Sequence, residues 1–276
     1  MTALLPCTLD EALDLLAGTD AVPMAGGTDL LVHWPQRPVD HDRSYLDLWG
    51  LAELRTHRWT DDFLELGALT TYWDVIRDPR AAAELPLLVD AARQVGAIQI
   101  QSRGTWAGNV VNASPAADGV PVLMAYDATL VLRSAAGNAE EVPLAEFYTG
   151  YKEMRRRPDQ LLTAIRIPRR AYDFQRFVKV GSRRAQAIAK VGLALARSET
   201  GWRVVAASMA PTVCRCPAVE RWLEEEIAVG SPEELLPAIR EDVSPIDDVR
   251  STATYRETVM ARVLYHDLRG AVPSFR

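Results

Sequence analysis

At 276 residues, 48% of them apolar, the chain is long for one domain and comfortable for two, each able to bury a core. A net charge of −6 speaks against a general nucleic-acid binder or a basic membrane-surface protein. No apolar run approaches the roughly 18 residues of a membrane span, and the stretch Met1 to Leu16 carries Asp10, Glu11 and Asp14 without a basic residue, so it is no signal peptide and the expected compartment is the cytoplasm.

Thr8-Leu9-Asp10-Glu11 reads as a capping box opening a helix whose apolar face is Leu9, Ala12, Leu13 and Leu16, stopped by Gly18. A short strand, residues 21–25, then breaks at Gly26-Gly27, and a new helix starts at Thr28. Residues 63–68 alternate like a strand, Thr70 or Thr71 caps a helix through Trp73, Val75 and Ile76, and a further helix over 85–95 ends at Gly96. Residues 103–121 lack regular periodicity. A short helix over 120–126 and strands over 129–132 and 161–167 complete an α+β N-terminal domain, residues 1–168. Beyond a linker at Arg169 to Asp173, strands over 174–180, 188–195 and 202–209 form consecutive antiparallel neighbours. Helices over 219–227, 232–239 and 252–268 follow, the last with Tyr255, Val259, Val263 and Tyr265 or His266 near one face. This second domain covers 172–272.

Two glycine turns could carry chemistry. In Ala25-Gly26-Gly27-Thr28-Asp29-Leu30 a strand ends in two glycines and a hydroxyl, where backbone N–H groups can converge on phosphate oxygens. Such a turn is also the ordinary way to end a strand. It is neither the three-glycine dinucleotide fingerprint nor a P-loop. The second, residues 105–118, gathers Thr105, Asn109, Ser114 and Asp118 in one irregular stretch, and such stretches inside compact domains tend to be functional. Together the two turns fit a dinucleotide whose pyrophosphate lies between them. Arg155-Arg156-Arg157 is either solvated or a phosphate site. Cys7, Cys214 and Cys216 are too few for an iron–sulfur cluster, which needs about four thiolates. Cys214-Arg215-Cys216 is spaced too tightly for zinc, and His33, His41, His57 and His266 form no paired motif, so reduced thiols and no metal are expected. Glu224-Glu225-Glu226 reads as a solvated helix face, and no nucleophile elbow or catalytic Cys–His pair is present.

At these segments the chain resembles the FAD-binding medium subunit of the xanthine dehydrogenase and carbon monoxide dehydrogenase family of molybdenum hydroxylases. Residues 25–30 resemble its first FAD pyrophosphate loop and 105–118 its second. Residues 67–71, 177–191 and 248–256 are similar to three further signatures. The resemblance implies a vanillyl-alcohol-oxidase (PCMH) type FAD domain of two α+β subdomains, plus a C-terminal domain with a three-stranded antiparallel sheet and helices. It implies FAD as the cofactor, with the molybdenum cofactor on a large partner subunit and [2Fe–2S] clusters on a small one, in a heterotrimer. Electrons would pass from the clusters through FAD to NAD, a quinone or oxygen. Ala25, Gly26, Gly27, Thr28, Asp29 and Leu30 would hold the pyrophosphate or lie by the flavin. Thr105, Gly108, Asn109 and Ser114 would meet phosphate and ribityl groups, Asp118 a ribose or ribityl hydroxyl, Leu162 the flavin edge or adenine through its backbone, Lys179 the isoalloxazine carbonyl end, and Ile188 the ring face. The departure is Ala107, where the family's second loop has a glycine. Alanine tolerates positive φ poorly, so either the loop keeps an accessible backbone there or one contact is altered. The rival reading is a stand-alone FAD-dependent oxidoreductase with its own substrate pocket.

Overall fold

In the structure, a computed structural model describing residues 2–32, 43–137 and 139–275, three sheets follow one another along the chain. The first is parallel, in the order β1 (Thr2–Leu4), β3 (Ser44–Asp47), β2 (Val22–Met24). Helix α1 (Leu9–Gly18) packs the predicted Leu9, Ala12, Leu13 and Leu16 into the core. The Thr8 hydroxyl accepts from the Glu11 amide at 3.2 Å, whereas the Glu11 carboxylate takes the amide of Cys7 at 2.7 Å, so the capping box closes one residue early. The short α2 (Thr28–Val32) starts at the first glycine turn, as expected.

The second sheet is antiparallel, in the order β4 (His57–Trp59), β5 (Phe63–Gly67), β10 (Leu161–Pro168), β6 (Thr129–Arg133), β7 (Glu140–Pro143). Between β5 and β6 lie α3 (Tyr72–Ile76), α4 (Pro79–Glu84), α5 (Pro86–Gln94), α6 (Ile98–Gln101), α7 (Trp106–Val111) and α8 (Gly119–Ala125), and β8 (Tyr148–Gly150) and β9 (Glu153–Met154) form a separate hairpin. Thr71 is the cap of α3, in a complete capping box with Asp74. The stretch 103–121 is more regular than its composition suggests. Thr105 caps α7 by accepting from the Gly108 amide at 3.0 Å, and packing of Trp106, Ala107 and Val110 overrides the poor helix propensity of Gly108 and Asn109.

The third sheet runs β11 (Tyr172–Val180), β12 (Val191–Ser198), β13 (Gly201–Ala207), β14 (Cys214–Arg215), all antiparallel. Several differences from expectation appear here: β11 begins at Tyr172, inside the expected linker, because Tyr172 already pairs with Ser198, and β13 ends at Ala207 rather than 209, where its pairing with Gly192 stops. A fourth, two-residue strand joins the edge, and β12 begins at Val191 rather than 188, because pairing with β11 starts only where Val191 faces Val180. Helices α9 (Pro217–Glu224), α10 (Leu236–Asp242) and α11 (Ala253–Leu268) cover one face. The buried stripe of α11 is Arg256, Met260, Ala261, Leu264, Tyr265 and Leu268, while Tyr255 of the expected face is exposed.

Alternate residues of this sheet belong to different cores. Ala194, Ala196, Val205 and Ala207 join the core of the preceding sheets, against α8, whereas Leu193, Leu195, Trp202 and Val204 pack with the C-terminal helices.

Candidate functional site

The two glycine turns, 77 residues apart in sequence, meet. A Cβ placed on Gly26 would lie 1.9 Å from the Arg103 carbonyl oxygen, and the Arg103 Nε donates to the Gly26 carbonyl at 3.2 Å. The Arg103 guanidinium also stacks 3.7 Å over the Trp49 ring centroid. Gly27 takes φ +72, a left-handed conformation that favours glycine. The second turn is tied to α3 by reciprocal backbone bonds, Tyr72 N–H to Gly104 O and Trp106 N–H to Thr70 O, both 3.2 Å.

Between the turns opens a cavity of about 310 Å³, within the size range of ligand clefts. Of the predicted site residues, Ala25, Gly26, Gly27, Thr28, Asp29, Leu30, Thr105, Gly108, Asn109 and Leu162 line it. Asn109 uses its side-chain oxygen to accept the Gly119 amide at the head of α8, at 3.2 Å, which leaves its NH₂ group as a donor. Leu162 reaches the cavity at a bulge in the pairing of β10 with β6. Ala107 also lines it, in the first turn of α7, and is not among the residues with positive φ, so its methyl brings no backbone strain.

Four predicted residues do not line this cavity. Ser114 accepts the Ala116 amide at 3.3 Å in a local turn. Ile188 lies 55% exposed in the loop before β12. Asp118 and Lys179 pair with each other at 2.6 Å, both side chains largely buried, and the Lys179 ammonium also donates to the Gln94 carbonyl at 2.9 Å. Lys179 therefore pins β11 to the end of α5 and to the turn before α8.

Burial pushes the Asp118 carboxyl up to about 6, although the charge and hydrogen bond of Lys179 pull the other way. Its folded pKa thus lies above the ordinary 3.8, so the stabilising proton is fully bound below about pH 3.8 and is lost as pH rises through about 6. In urea melts the stability of the wild type relative to Asp118→Asn should fall between about pH 4 and pH 6 and level off above. A difference that stays flat or rises over that window contradicts the assignment.

Sequence reasoning passed over Tyr72 and Gln160, and left Arg156 undecided; all three line the cavity. The arginine run divides. Arg155 pairs with Glu146 at 3.0 Å, Arg157 with Asp159 at 3.1 Å and Glu140 at 3.3 Å, and only Arg156 turns to the cavity, held by the carbonyls of Gln160 (2.7 Å) and Arg157 (3.1 Å). Among the described residues no group of three or more His, Cys, Asp or Glu could hold a metal, and no helix is long and apolar enough to cross a membrane. His33 and His41 lie outside the described residues. His57 pairs with Asp78 at 2.7 Å, far in sequence from both turns.

Residues 1–170 match the family model described as the FAD binding domain in molybdopterin dehydrogenase, and residues 176–270 that of the CO dehydrogenase flavoprotein C-terminal domain. The chain is 31% identical to the nicotinate dehydrogenase FAD-subunit of Eubacterium barkeri, over 91% of this chain and 89% of that one. It is 30% identical to the xanthine dehydrogenase FAD-binding subunit of Escherichia coli, over 90% and 88%. Its fold is similar to a chain of the carbon monoxide dehydrogenase structure from Hydrogenophaga pseudoflava, with a TM-score of 0.85, 25% identity, and coverage of 100% of this chain and 98% of that one.

Proposed function

Since this chain belongs to the family of FAD-binding subunits of molybdopterin dehydrogenases, we propose that it binds FAD in the cavity between its glycine turns and serves as the flavin subunit of a molybdenum hydroxylase. The observation that carries this reading is the convergence of both turns on one cavity. The residues fit a dinucleotide. Gly26 and Gly27 leave a cradle without side chains, and Thr28, Thr105, Asn109 and Arg156 offer donors of the kind that a pyrophosphate and a polyol chain accept.

FAD, when bound, would supply the redox chemistry linking [2Fe–2S] clusters on a small partner subunit, fed by the molybdenum cofactor of a large one, to NAD, a quinone or oxygen. The protein's part is to bind and orient. Gly26 to Leu30 and Thr105 to Asn109 hold the diphosphate and ribityl segments. Leu162 presents its backbone at the bulge. Asp118 and Lys179, now paired with each other outside the cavity lining, would hold a ligand hydroxyl and a flavin carbonyl if the bound cofactor reaches them, the lysine then favouring negative charge there. Ser114 supports the second turn, and Ile188, exposed in its loop, would meet the ring face only if the flavin extends beyond this cavity toward that loop. The division into residues 1–168 and 172–272 belongs to the same reading.

The purified chain should show flavin absorbance and release intact FAD on acid treatment, identified by chromatography. A colourless chain that also takes up no added FAD would overturn the site.

A further inference from the structure

We propose that Tyr72 is an FAD-binding residue, its phenol donating a hydrogen bond to the pyrophosphate. This rests on the reading of the cavity as the FAD site and adds to it a residue outside both glycine turns.

Tyr72 lines the cavity and is 3% exposed, yet its hydroxyl meets no hydrogen-bond partner. A buried hydroxyl left in that state is costly. An acceptor brought in by a ligand in the cavity that Tyr72 lines would satisfy it. Burial, and then the negative charges of Asp118 and Asp29, hold the phenol's pKa well above its usual value, so it stays protonated and acts as a donor. The ring edge stands 3.3 Å from the point a Cβ on Gly104 would occupy, and the Thr28 hydroxyl 3.4 Å from the same point. Tyr72 therefore sits where the two turns meet, beside the hydroxyl of the first. Of the acceptors FAD carries, phosphate oxygens are the ones expected between these turns.

The phenol is also held in place. Its backbone amide donates to Gly104 O, the Thr71–Asp74 box fixes the helix start, an antiparallel bridge joins Thr71 to Thr105, and the ring packs on Trp106 with centroids 4.9 Å apart. Such preorganisation spares a ligand the entropy of ordering the donor.

Tyr72→Phe removes the oxygen alone and keeps the ring against Trp106. Apo wild type and variant are titrated with FAD, ADP and riboflavin, following flavin fluorescence directly for FAD and riboflavin and by displacement of FAD for ADP. Affinity for FAD and for ADP should fall by about 10- to 100-fold, the loss of one hydrogen bond to a charged group. Riboflavin, which lacks phosphate, should bind both proteins alike. The melting temperature of the ligand-free variant should equal or exceed that of wild type, since an unsatisfied hydroxyl has been removed. A residue with a merely structural role would not move stability and ligand affinity in opposite directions. If wild type binds FAD and the variant binds it equally well, the proposal is wrong. It is also wrong if riboflavin binding falls in step with FAD. Failure of wild type itself to bind FAD would bring down the reading of the cavity and this proposal with it, a result distinct from either.

Discussion

Replacing Gly26 by alanine should abolish useful FAD binding. The new methyl would fall 1.9 Å from the Arg103 carbonyl oxygen and 2.8 Å from its carbon. Both are backbone atoms that cannot rotate aside, so the two turns must separate. Overpacking of this kind costs about 1–3 kcal/mol, and occasionally more, even where surroundings yield. Here the yielding part is the ligand cradle. The hydrogen bond from Arg103 Nε to the Gly26 carbonyl would stretch as well. Affinity for FAD should drop by about 100-fold or more, equivalent to about 3 kcal/mol. The matched control is Gly18→Ala at the end of α1, where an added Cβ meets nothing within 4 Å and binding should be unchanged. Fluorescence titration of both variants decides the matter, and a Gly26→Ala affinity within about threefold of wild type would contradict the contact between the turns.

Arg256→Ala should strongly destabilise the C-terminal half. The guanidinium is 3% exposed and donates to three acceptors: the carbonyls of Lys190 at 2.6 Å and Ser208 at 3.0 Å, and the Asp248 carboxylate at 2.8 Å. It thereby ties α11 to the start of β12, the end of β13 and the loop before the helix. Truncation leaves the two carbonyls without this charged donor, while Asp248 keeps the Arg250 and Ser251 amides and the Arg250 side chain, and losing two hydrogen bonds from a charged group costs about 3 kcal/mol or more. Arg256→Lys should recover only part of the loss, because one ammonium cannot span three acceptors set around a planar fork. Arg250, on the other side of Asp248 and 45% exposed in its side chain, is the control, and its alanine variant should melt within about 0.5 kcal/mol of wild type. Chemical denaturation measures all three, and an Arg256→Ala loss no larger than that of Arg250→Ala would refute the assignment.

Arg256 also shows how a motif can be recognised before its purpose is visible. Residues 248–256 resemble a family signature, and the structure gives its two ends a common task, the Asp248–Arg256 pair. The elements that were legible share a strong local signal. Helix α1 has a cap and a clean apolar stripe, α3 its capping threonine, and β10 a long run closed by Pro168. The elements that were missed are short and depend on partners remote in sequence. Strand β1 is three residues long and exists because it lies beside β3, some forty residues later. Helix α7 contains a glycine and an asparagine, and only its packing reveals it. The site divides likewise. The glycine turns could be seen one at a time, whereas Arg103, Tyr72 and Arg156 gain meaning only once distant segments meet, and the Asp118–Lys179 pair joins residues whose separate roles had each been assigned to the ligand.

The sheet from β11 to β14 has its bulk unevenly distributed. Toward α8 it presents Ala194, Ala196 and Ala207 beside Val205, and toward the C-terminal helices Leu193, Leu195 and Trp202. Small side chains let the sheet lie close against the flavin half, and Lys179, paired with Gly192 in that sheet, is carried to Asp118 by this close seating. The alanines thus act as spacers of fixed thickness. Their size sets how far the lysine reaches, so exchanges buried in this sheet can shift the Asp118–Lys179 pair while leaving every cavity-lining residue in place.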